Sequence, residues 1–386
     1  MADLRPNADP AQDPLHVDLQ HLFRGAVRFA LELVLEEEVR RIVGAPRYAR
    51  AGRRDVRNGS YLRGLLTSLG YIEVRMPRSR NNGAPTHVLG AYQRRASEID
   101  DAITEAYVNG VSTRGMAHVT EALLGKEVSS STVSRVTKRL EEAVEELRQK
   151  PLEKKYPYLY LDATHLDARW ANKVDNVAAL IAYAVNEDGH RELLAVTIGY
   201  SESEESWGDL LGQLLDRKLA GVRLVISDDH KGLKAAVRRY LPEARHQRCT
   251  VHFLRNVGSR IPDRNGLKKR VLREVSEIFN AKSLKHAKEL KKAFATRWSK
   301  QLPEAVAFLN DGFAPTTQFF AFPAKHRQRI RSTNGLERLH GEIKRRIRAV
   351  GPFPDRASAL RLVTAVALRT TEVWGARRYL DMSLLE

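Results

Sequence analysis

Tyr156-Pro157-Tyr158-Leu159-Tyr160-Leu161-Asp162-Ala163-Thr164 is the stretch that decides the fold. Successive side chains of a strand point to opposite faces, so Tyr158, Tyr160 and Asp162 share one face and Leu159 and Leu161 the other. Val177 to Asn186, the turn Glu187-Asp188-Gly189 and Glu192 to Gly199 read as a hairpin, because Asp-Gly supplies the backbone such a turn needs. Ser206 to Leu219 has helical spacing, Val222 to Ile226 is an apolar run suited to a buried strand, and Lys231 to Tyr240 is again helical. Three meandering strands followed by strand–helix units predict an α/β fold, a mixed sheet covered by helices.

On the N-terminal side, residues 1–15 are rich in Asp, Pro and Ala and are expected to form a loose tail. From His16 to Arg41 the spacing of Leu19, Leu22, Phe23, Val27, Phe29, Ala30 and Leu33 predicts an amphipathic helix. Basic residues then crowd a Gly- and Asn-containing stretch that includes Arg54 and Arg57. Ile72, Val74 and Met76 alternate with charged residues as a short strand, and Arg78 and Arg80 stand in a basic loop. Residues 16–97 are therefore expected to form a DNA-binding module, to which Arg94 and Arg95 also belong. Residues 98–150 read as helices broken at Gly125-Lys126-Glu127, with N-cap residues at Ser129 to Thr132 and cations at Arg135, Lys138 and Arg139. That pattern fits a helix-turn-helix, though a helical hairpin serving only to pack fits it as well.

Beyond the sheet, residues 255–300 carry 14 Lys and Arg against four carboxylates. Leu267, Val271, Val275 and Ile278 form one apolar stripe, and Leu290, Phe294 and Trp298 another, so the cations, Lys268, Lys269 and Arg270 among them, lie on other faces. A basic helical insertion facing DNA is expected over 258–325. It would stand between the segments 151–257 and 326–386.

Composition narrows the function classes. The 386 residues are 42% hydrophobic and 29% charged, with a formal net charge of +18. That length suggests two or three domains, and that charge a polyanionic partner, nucleic acid foremost. A single cysteine, Cys249, excludes a disulfide framework and a multi-thiolate zinc site. No apolar run approaches the roughly 20 residues of a membrane-spanning helix. The first residues do not read as a signal peptide, so a reducing, cytoplasmic setting and no membrane partner are expected. Fingerprints for ATP or dinucleotide binding and for a Ser-His-Asp hydrolase are missing, so no nucleotide cofactor is expected.

Three acids stand where metal chemistry would want them. Asp162 lies near the end of the first strand and Asp228 at the end of the apolar strand, in Ile226-Ser227-Asp228-Asp229-His230-Lys231. A buried strand-end carboxylate is costly unless paired or bound to a cation. Mg²⁺ prefers such hard oxygens, and two ions about 3.5–4 Å apart suit phosphodiester chemistry. Asp228 reads equally as a cap for the following helix, and Asp162 as part of a turn with Thr164. Glu337, in Ser332-Thr333-Asn334-Gly335-Leu336-Glu337-Arg338-Leu339, is the third; it also fits a capping box with Asn334. Asp229, Asp167 and Glu342 compete by position. Arg338, Lys344, Arg345 and Arg346 make that last helix cationic and suited to phosphate. Cys249 and His252 have ligand-like spacing but lack two further partners for zinc, so a buried thiol beside a histidine is the plainer reading. Trp207 reads as a core residue more readily than as a base-stacking platform.

In order along the chain, four segments resemble the Mutator-type insertion-sequence transposases of bacteria, a branch of the DDE enzymes. They are Arg57-Asn58-Gly59-Ser60-Tyr61 through Arg80 to Arg95, Tyr160 to Thr164, Ser227 to Leu233 with Cys249 to His252, and Ser332 to Leu339 with Ile343 to Arg346. The resemblance spans about residues 16–375. It implies a ribonuclease-H-like core interrupted by an all-helical insertion, with Asp162, Asp228 and Glu337 as the metal-binding triad holding two Mg²⁺ or Mn²⁺ ions. It favours Asp228 over Asp229, and it assigns Cys249 and His252 a structural or DNA-positioning role; for Trp207 the same role is expected without the resemblance. Gly335 departs from the pattern, where a larger or helix-favouring residue is expected.

The function so implied is that of a DNA transposase. It would bind terminal inverted repeats, hydrolyse a phosphodiester at the element end and transfer the freed 3′-hydroxyl to target DNA. The expected partners are double-stranded DNA and further copies of the chain, as a homodimer or larger assembly at the bacterial nucleoid. The rival readings are a DNA-binding regulator or inactive relative, and a structure-specific nuclease with the same core.

Overall fold

The computed structural model describes residues 18–49, 51–85, 87–170, 173–264 and 266–385; the tail expected over 1–15 lies outside them. Two compact units divide the chain, one of residues 1–107 with 111–137, the other of 108–110 with 138–386.

The first unit begins with α1 (Leu19–Val43). Asp18 caps it by accepting from the N–H groups of Gln20 and His21, and Gly44, at φ 76°, ends it in the left-handed conformation glycine adopts without cost. An antiparallel hairpin follows, β1 (Arg57–Thr67) and β2 (Gly70–Ser79). The basic stretch around Arg57, to which the sequence gives no element, is thus a strand; its Arg, Asn and Gly residues hide the alternation, and pairing with β2 satisfies the backbone. Of the expected basic loop, Arg78 lies in β2 and Arg80 in the turn after it. Leu35 packs with Leu65, Ile72, Val74 and Met76 between helix and hairpin. The helix expected from spacing is present, but the hairpin covers a different face. Leu19, Leu22, Phe23, Phe29 and Leu33 are exposed, while Leu35, Val39 and Val43 are buried. Three more helices complete the unit, α2 (Ser97–Val108), α3 (Gly115–Leu124) and α4 (Ser130–Thr137). Gly125, at φ 69°, ends α3 and leads into α4, the helix–turn–helix order read from the sequence. The next helix, α5 (Leu140–Gln149), falls in the second unit, so the helical region expected as one piece over 98–150 is divided.

A five-stranded mixed sheet forms the centre of the second unit: β3 (Tyr158–Trp170), β4 (Lys173–Val185), β5 (Arg191–Gly199), β6 (Leu224–Ser227) and β7 (Arg245–Arg248). Their order across the sheet is β5-β4-β3-β6-β7, with β3 to β5 antiparallel and β6 and β7 parallel to β3. α6 (Glu204–Asp216) and α7 (Lys231–Tyr240) cover one face, where Leu159 and Leu161 pack with Trp207, Leu210, Leu233 and Val237. On the other face Tyr160 stacks on Tyr183, ring centroids 4.3 Å apart. The alternation read from the first strand is therefore the division between two cores.

Four helices follow β7: α8 (Thr250–Gly258), α9 (Leu267–Phe279), α10 (Leu284–Trp298) and α11 (Pro303–Thr316). Val271, Val275, Ile278, Phe294 and Trp298 are buried, as the stripes predict. The chain then returns to the sheet through α12 (Ala324–Ile330), α13 (Asn334–Val350) and α14 (Arg356–Thr371). Its end is stitched to the sheet. The N–H groups of Tyr379 and Leu380 both donate to the Gly189 carbonyl in the β4–β5 turn, at 2.7 and 3.2 Å. The buried His326 ring donates from Nε2 to the Asp381 carbonyl at 2.8 Å, which leaves Nδ1 to accept from the Tyr158 hydroxyl at 2.8 Å.

Candidate active site

Parallel pairing of β3 with β6 matches Tyr158 to Leu224 and Tyr160 to Ile226. Two residues further along, Asp162 and Asp228 stand at the same level, Asp228 just past the end of β6 but Asp162 the fifth residue of β3, well inside the strand rather than near its end. β3 runs on through Thr164 to Trp170, which removes the turn reading of Asp162. The residue that caps α7 is His230, without a side-chain bond, so Asp228 is not its cap; its carboxylate accepts from the His230 N–H at 3.0 Å. Asp162 is 8% exposed. Burial pushes its carboxyl up to about 7; the positive His252 nearby opposes this and the Asp228 charge adds to it.

Asp229 is committed elsewhere. Lys234 Nζ lies 2.6 Å from one of its oxygens and Arg248 Nη1 2.9 Å from the other. Arg248 comes from the end of β7, is almost fully buried, and lies over the rings of Phe253 and Phe308 at 4.8 and 5.2 Å. This anchor fixes the loop after β6 and leaves Asp228 as the carboxylate coupled to Asp162. Asp167, further along β3, accepts from Asn176, and Glu342 pairs with Arg345 at 2.6 Å.

α13 lies against Asp162 through His340, whose Nδ1 is 3.7 Å from the Asp162 carboxylate. Burial, helped by Lys344 and His252, holds this imidazole neutral down to about pH 3, so the contact is not an ion pair at neutral pH. Glu337 stands one turn earlier on the same helix face. Thr333 caps α13 without a side-chain bond, so the capping box with Asn334 does not form. The Glu337 carboxylate, part exposed, is 3.9 Å from Arg255 Nη2. Asp162 and Asp228 are thus brought together, and α13 is seated beside them, with Glu337 turned to Arg255. Among the described residues no three His, Cys, Asp or Glu side chains are gathered closely enough to hold a metal ion.

Gly335 has a physical reason. A methyl group there would come within 2.6 Å of the Tyr183 hydroxyl. Only glycine lets the first turn of α13 lie on the tyrosine pair beneath it.

Cys249 is fully buried. Burial pushes its thiol up, but hydrogen bonds with His252 and Thr333 outweigh this and hold it below its usual range. Thr333 donates to it from both N–H and hydroxyl at 3.4 Å. The thiol in turn raises His252 to about 9 against the opposing effect of burial, and Asp162 and Asp228 raise it further. His252 is therefore the cation beside the two aspartates, and Cys249 holds it there. Trp207 is in the core under the sheet and has no surface to offer DNA.

Three neighbours of the site carry no signal that the sequence reading caught. His340 follows Glu337 by three residues, the spacing that puts both on one face. Arg248 ends a strand too short to recognise. Glu202 sits ahead of α6, its carboxylate 3.6 Å from His165 Nε2, and is raised by burial and then by Asp228.

The donor chemistry suits Mg²⁺ or Mn²⁺: hard oxygens, and a buried Asp162 whose negative charge is disfavoured until a cation compensates it.

Among the cations expected to face DNA, Arg54, Arg78, Arg80, Arg94, Arg135, Lys138, Arg139, Lys269, Arg270, Arg338, Lys344 and Arg345 are exposed and Lys268 is half-buried. Others are engaged within the protein. Arg57 pairs with Glu36 at 2.6 Å, Arg95 with Asp100 at 2.7 Å, and Arg346 donates to the Val108 carbonyl at 3.0 Å.

Comparison with known proteins gives concordant matches. A family model described as "Transposase, Mutator family" matches residues 7–376. The transposase for insertion sequence element ISRM5 of Rhizobium meliloti (strain 1021) is 38% identical over 93% of this chain and 90% of its own. The transposase for insertion sequence element IS256 in transposon Tn4001 of Staphylococcus aureus is 36% identical over 90% of each. Among solved structures, the Drosophila P element transposase strand transfer complex matches with a TM-score of 0.32 and 13% identity, covering 74% of this chain and 83% of that one. No helix among the described residues is long and apolar enough to cross a membrane.

Proposed function

The chain belongs to the Mutator family of transposases and acts in DNA transposition, and from that premise we propose how its residues do so. The second unit is a ribonuclease-H-like core into which α9 to α11 are inserted; the mixed strand order, with β6 and β7 parallel to β3, supports this. Asp162, Asp228 and Glu337 would hold two Mg²⁺ or Mn²⁺ ions, Glu337 exchanging its contact with Arg255 for a place beside the aspartates. When bound, the ions supply positive charge at the attacked phosphate and at the leaving oxygen.

The chain's own groups do the rest. Asp162 and Asp228 present oxygens from two neighbouring inner strands of the sheet. His252 offsets their mutual repulsion, and the neutral His340 adds no competing charge. The exposed cations of the first unit, of α9 and of α13 bind the phosphate backbone of terminal inverted repeats and target DNA. Water is the first nucleophile and the freed 3′-hydroxyl the second, within a homodimer or larger assembly on paired ends at the bacterial nucleoid.

The observation that carries this reading is a pair of carboxylates at one level of two adjacent parallel strands, Asp162 buried within β3 and Asp228 just past the end of β6. The test is incubation of the protein with DNA carrying element ends and Mg²⁺. Cleavage and joining to a second DNA are expected, both lost in Asp162→Asn and Asp228→Asn with binding retained. Binding without cleavage in any divalent ion makes the protein a regulator, and cleavage without joining makes it a nuclease.

A further inference from the structure

The solvent side of α1 is unusual for a surface. Leu19, Leu22, Phe23, Phe29 and Leu33 are 51–68% exposed, and Ala26 and Ala30 between them are exposed as well. A helix is normally apolar only where it packs. This one spends its other face on the hairpin through Leu35, with Val27 and Leu31 beside it, and on Ala45 and Ala49 through Val39 and Val43, and still presents four turns without a charged side chain in the stripe. Monomers rarely keep an apolar patch beyond roughly 300–600 Å². Five large side chains more than half exposed in one stripe reach that range on their own.

Two patterns in the stripe identify what covers it. Leu19, Leu22, Ala26, Phe29 and Leu33 follow one another at intervals of three, four, three and four, the a/d spacing of a coiled-coil seam. The stripe is also nearly palindromic about Ala26: Phe23 mirrors Phe29, Leu19 mirrors Leu33, and Leu22 mirrors Ala30, a large side chain opposite a small one. A surface that matches itself on reversal is what a two-fold interface requires. DNA is a poor occupant, since the stripe has no cation. Residues 1–17 offer three Asp and three Pro, and only Leu4, Leu15 and Val17 besides Met1 as large apolar side chains.

We propose that α1 pairs antiparallel with α1 of a second copy, on a two-fold axis through Ala26. The proposal rests on the homo-oligomer part of the function above and assigns its surface. It is independent of the metal chemistry.

Cysteine cross-linking of the full chain tests it. The sole native thiol is fully buried, so the background is silent. Ala26→Cys meets its own copy and gives a covalent dimer under mild oxidation. Leu33→Cys alone gives none, because the two positions stand about 21 Å apart along the seam. Mixing Leu33→Cys with Leu19→Cys restores the cross-link. Leu22→Glu with Phe29→Glu, both surface changes, lowers the mass in light scattering from dimer to monomer with an unchanged circular dichroism spectrum. Cross-linking by Leu33→Cys alone indicates a parallel pair and overturns the proposal. So does a dimer that survives the double glutamate variant or leaves Ala26→Cys unlinked. A wild-type monomer both free and on end DNA sinks the oligomer reading with it. A dimer that cross-links as expected but cleaves nothing overturns only the chemistry.

Discussion

Replacing Gly335 by alanine puts a methyl group where the Tyr183 hydroxyl stands, so α13 must move off the sheet. A loss of about 1–3 kcal/mol in urea unfolding is expected, with slower cleavage. Tyr183→Phe in the same chain restores most of it; the hydroxyl is buried without a partner, so its removal is cheap. Asp162 gives the second expectation. Its carboxyl titrates near 7 when folded and near 3.8 when not, so the metal-free fold binds this proton more tightly than the unfolded chain. Stability therefore falls as pH rises from about 4 to 7, by up to about 4 kcal/mol from this group. Thermal melts at pH 8 should show Asp162→Asn more stable than wild type without metal, with Mg²⁺ closing the gap. His340 and His246 act in the opposite direction. Folded, they stay neutral to about 3 and 4, while the unfolded chain takes up protons below 6.5, so stability is lost as pH drops through that window. What the sequence could say about the site was the identity of its two aspartates, because an aspartate next to an apolar run is anomalous by itself. It could not say that His340 touches Asp162 or that Arg248 holds the neighbouring Asp229, since those contacts join elements far apart in the chain.

At the scale of elements, the loop from β6 to α7 depends on a cation borrowed from β7. Arg248 is held under Phe253 and Phe308 and grips Asp229, and Gly312 of α11 leaves no room beside Phe253 for a side chain. Arg248→Met strands Asp229 with Lys234 alone. Asp229 is part exposed and keeps Lys234, so the lost charge-assisted bond costs about 1.5–3 kcal/mol. Urea unfolding should register that cost and the cleavage rate should fall, with DNA affinity unchanged; unaltered stability would show that Asp229 needs only Lys234. Elements with a strong period were legible: β3 to β6, the α6 and α7 helices, and the apolar stripes of α9 and α10. β1 was not, because arginine and glycine mask its alternation, and β7 was not, because four residues carry no period. α1 was legible as a helix but not in its orientation. A helix apolar on two sides gives no local sign of which side its neighbours will take.

For the molecule as a whole, the net charge of +18 belongs to several surfaces, and the cations are not equivalent. Lys269→Ala and Arg338→Ala remove exposed charges and should weaken DNA binding irrespective of sequence, each lowering the slope of log affinity against log salt by about 1. Arg346→Ala breaks a bond to the Val108 carbonyl instead, so its effect should show in thermal unfolding and leave that slope alone. The stitching of Tyr379 and Leu380 to the β4–β5 turn has a consequence for synthesis. The strands β3 to β5 are closed only by Tyr379 and Leu380, made some two hundred positions later, and translation adds about 5–20 residues each second. For many seconds the nascent sheet waits with its tyrosines uncovered. Completion of the second unit must therefore wait on residues remote from its strands, and this is the interval in which the newborn protein most needs a chaperone.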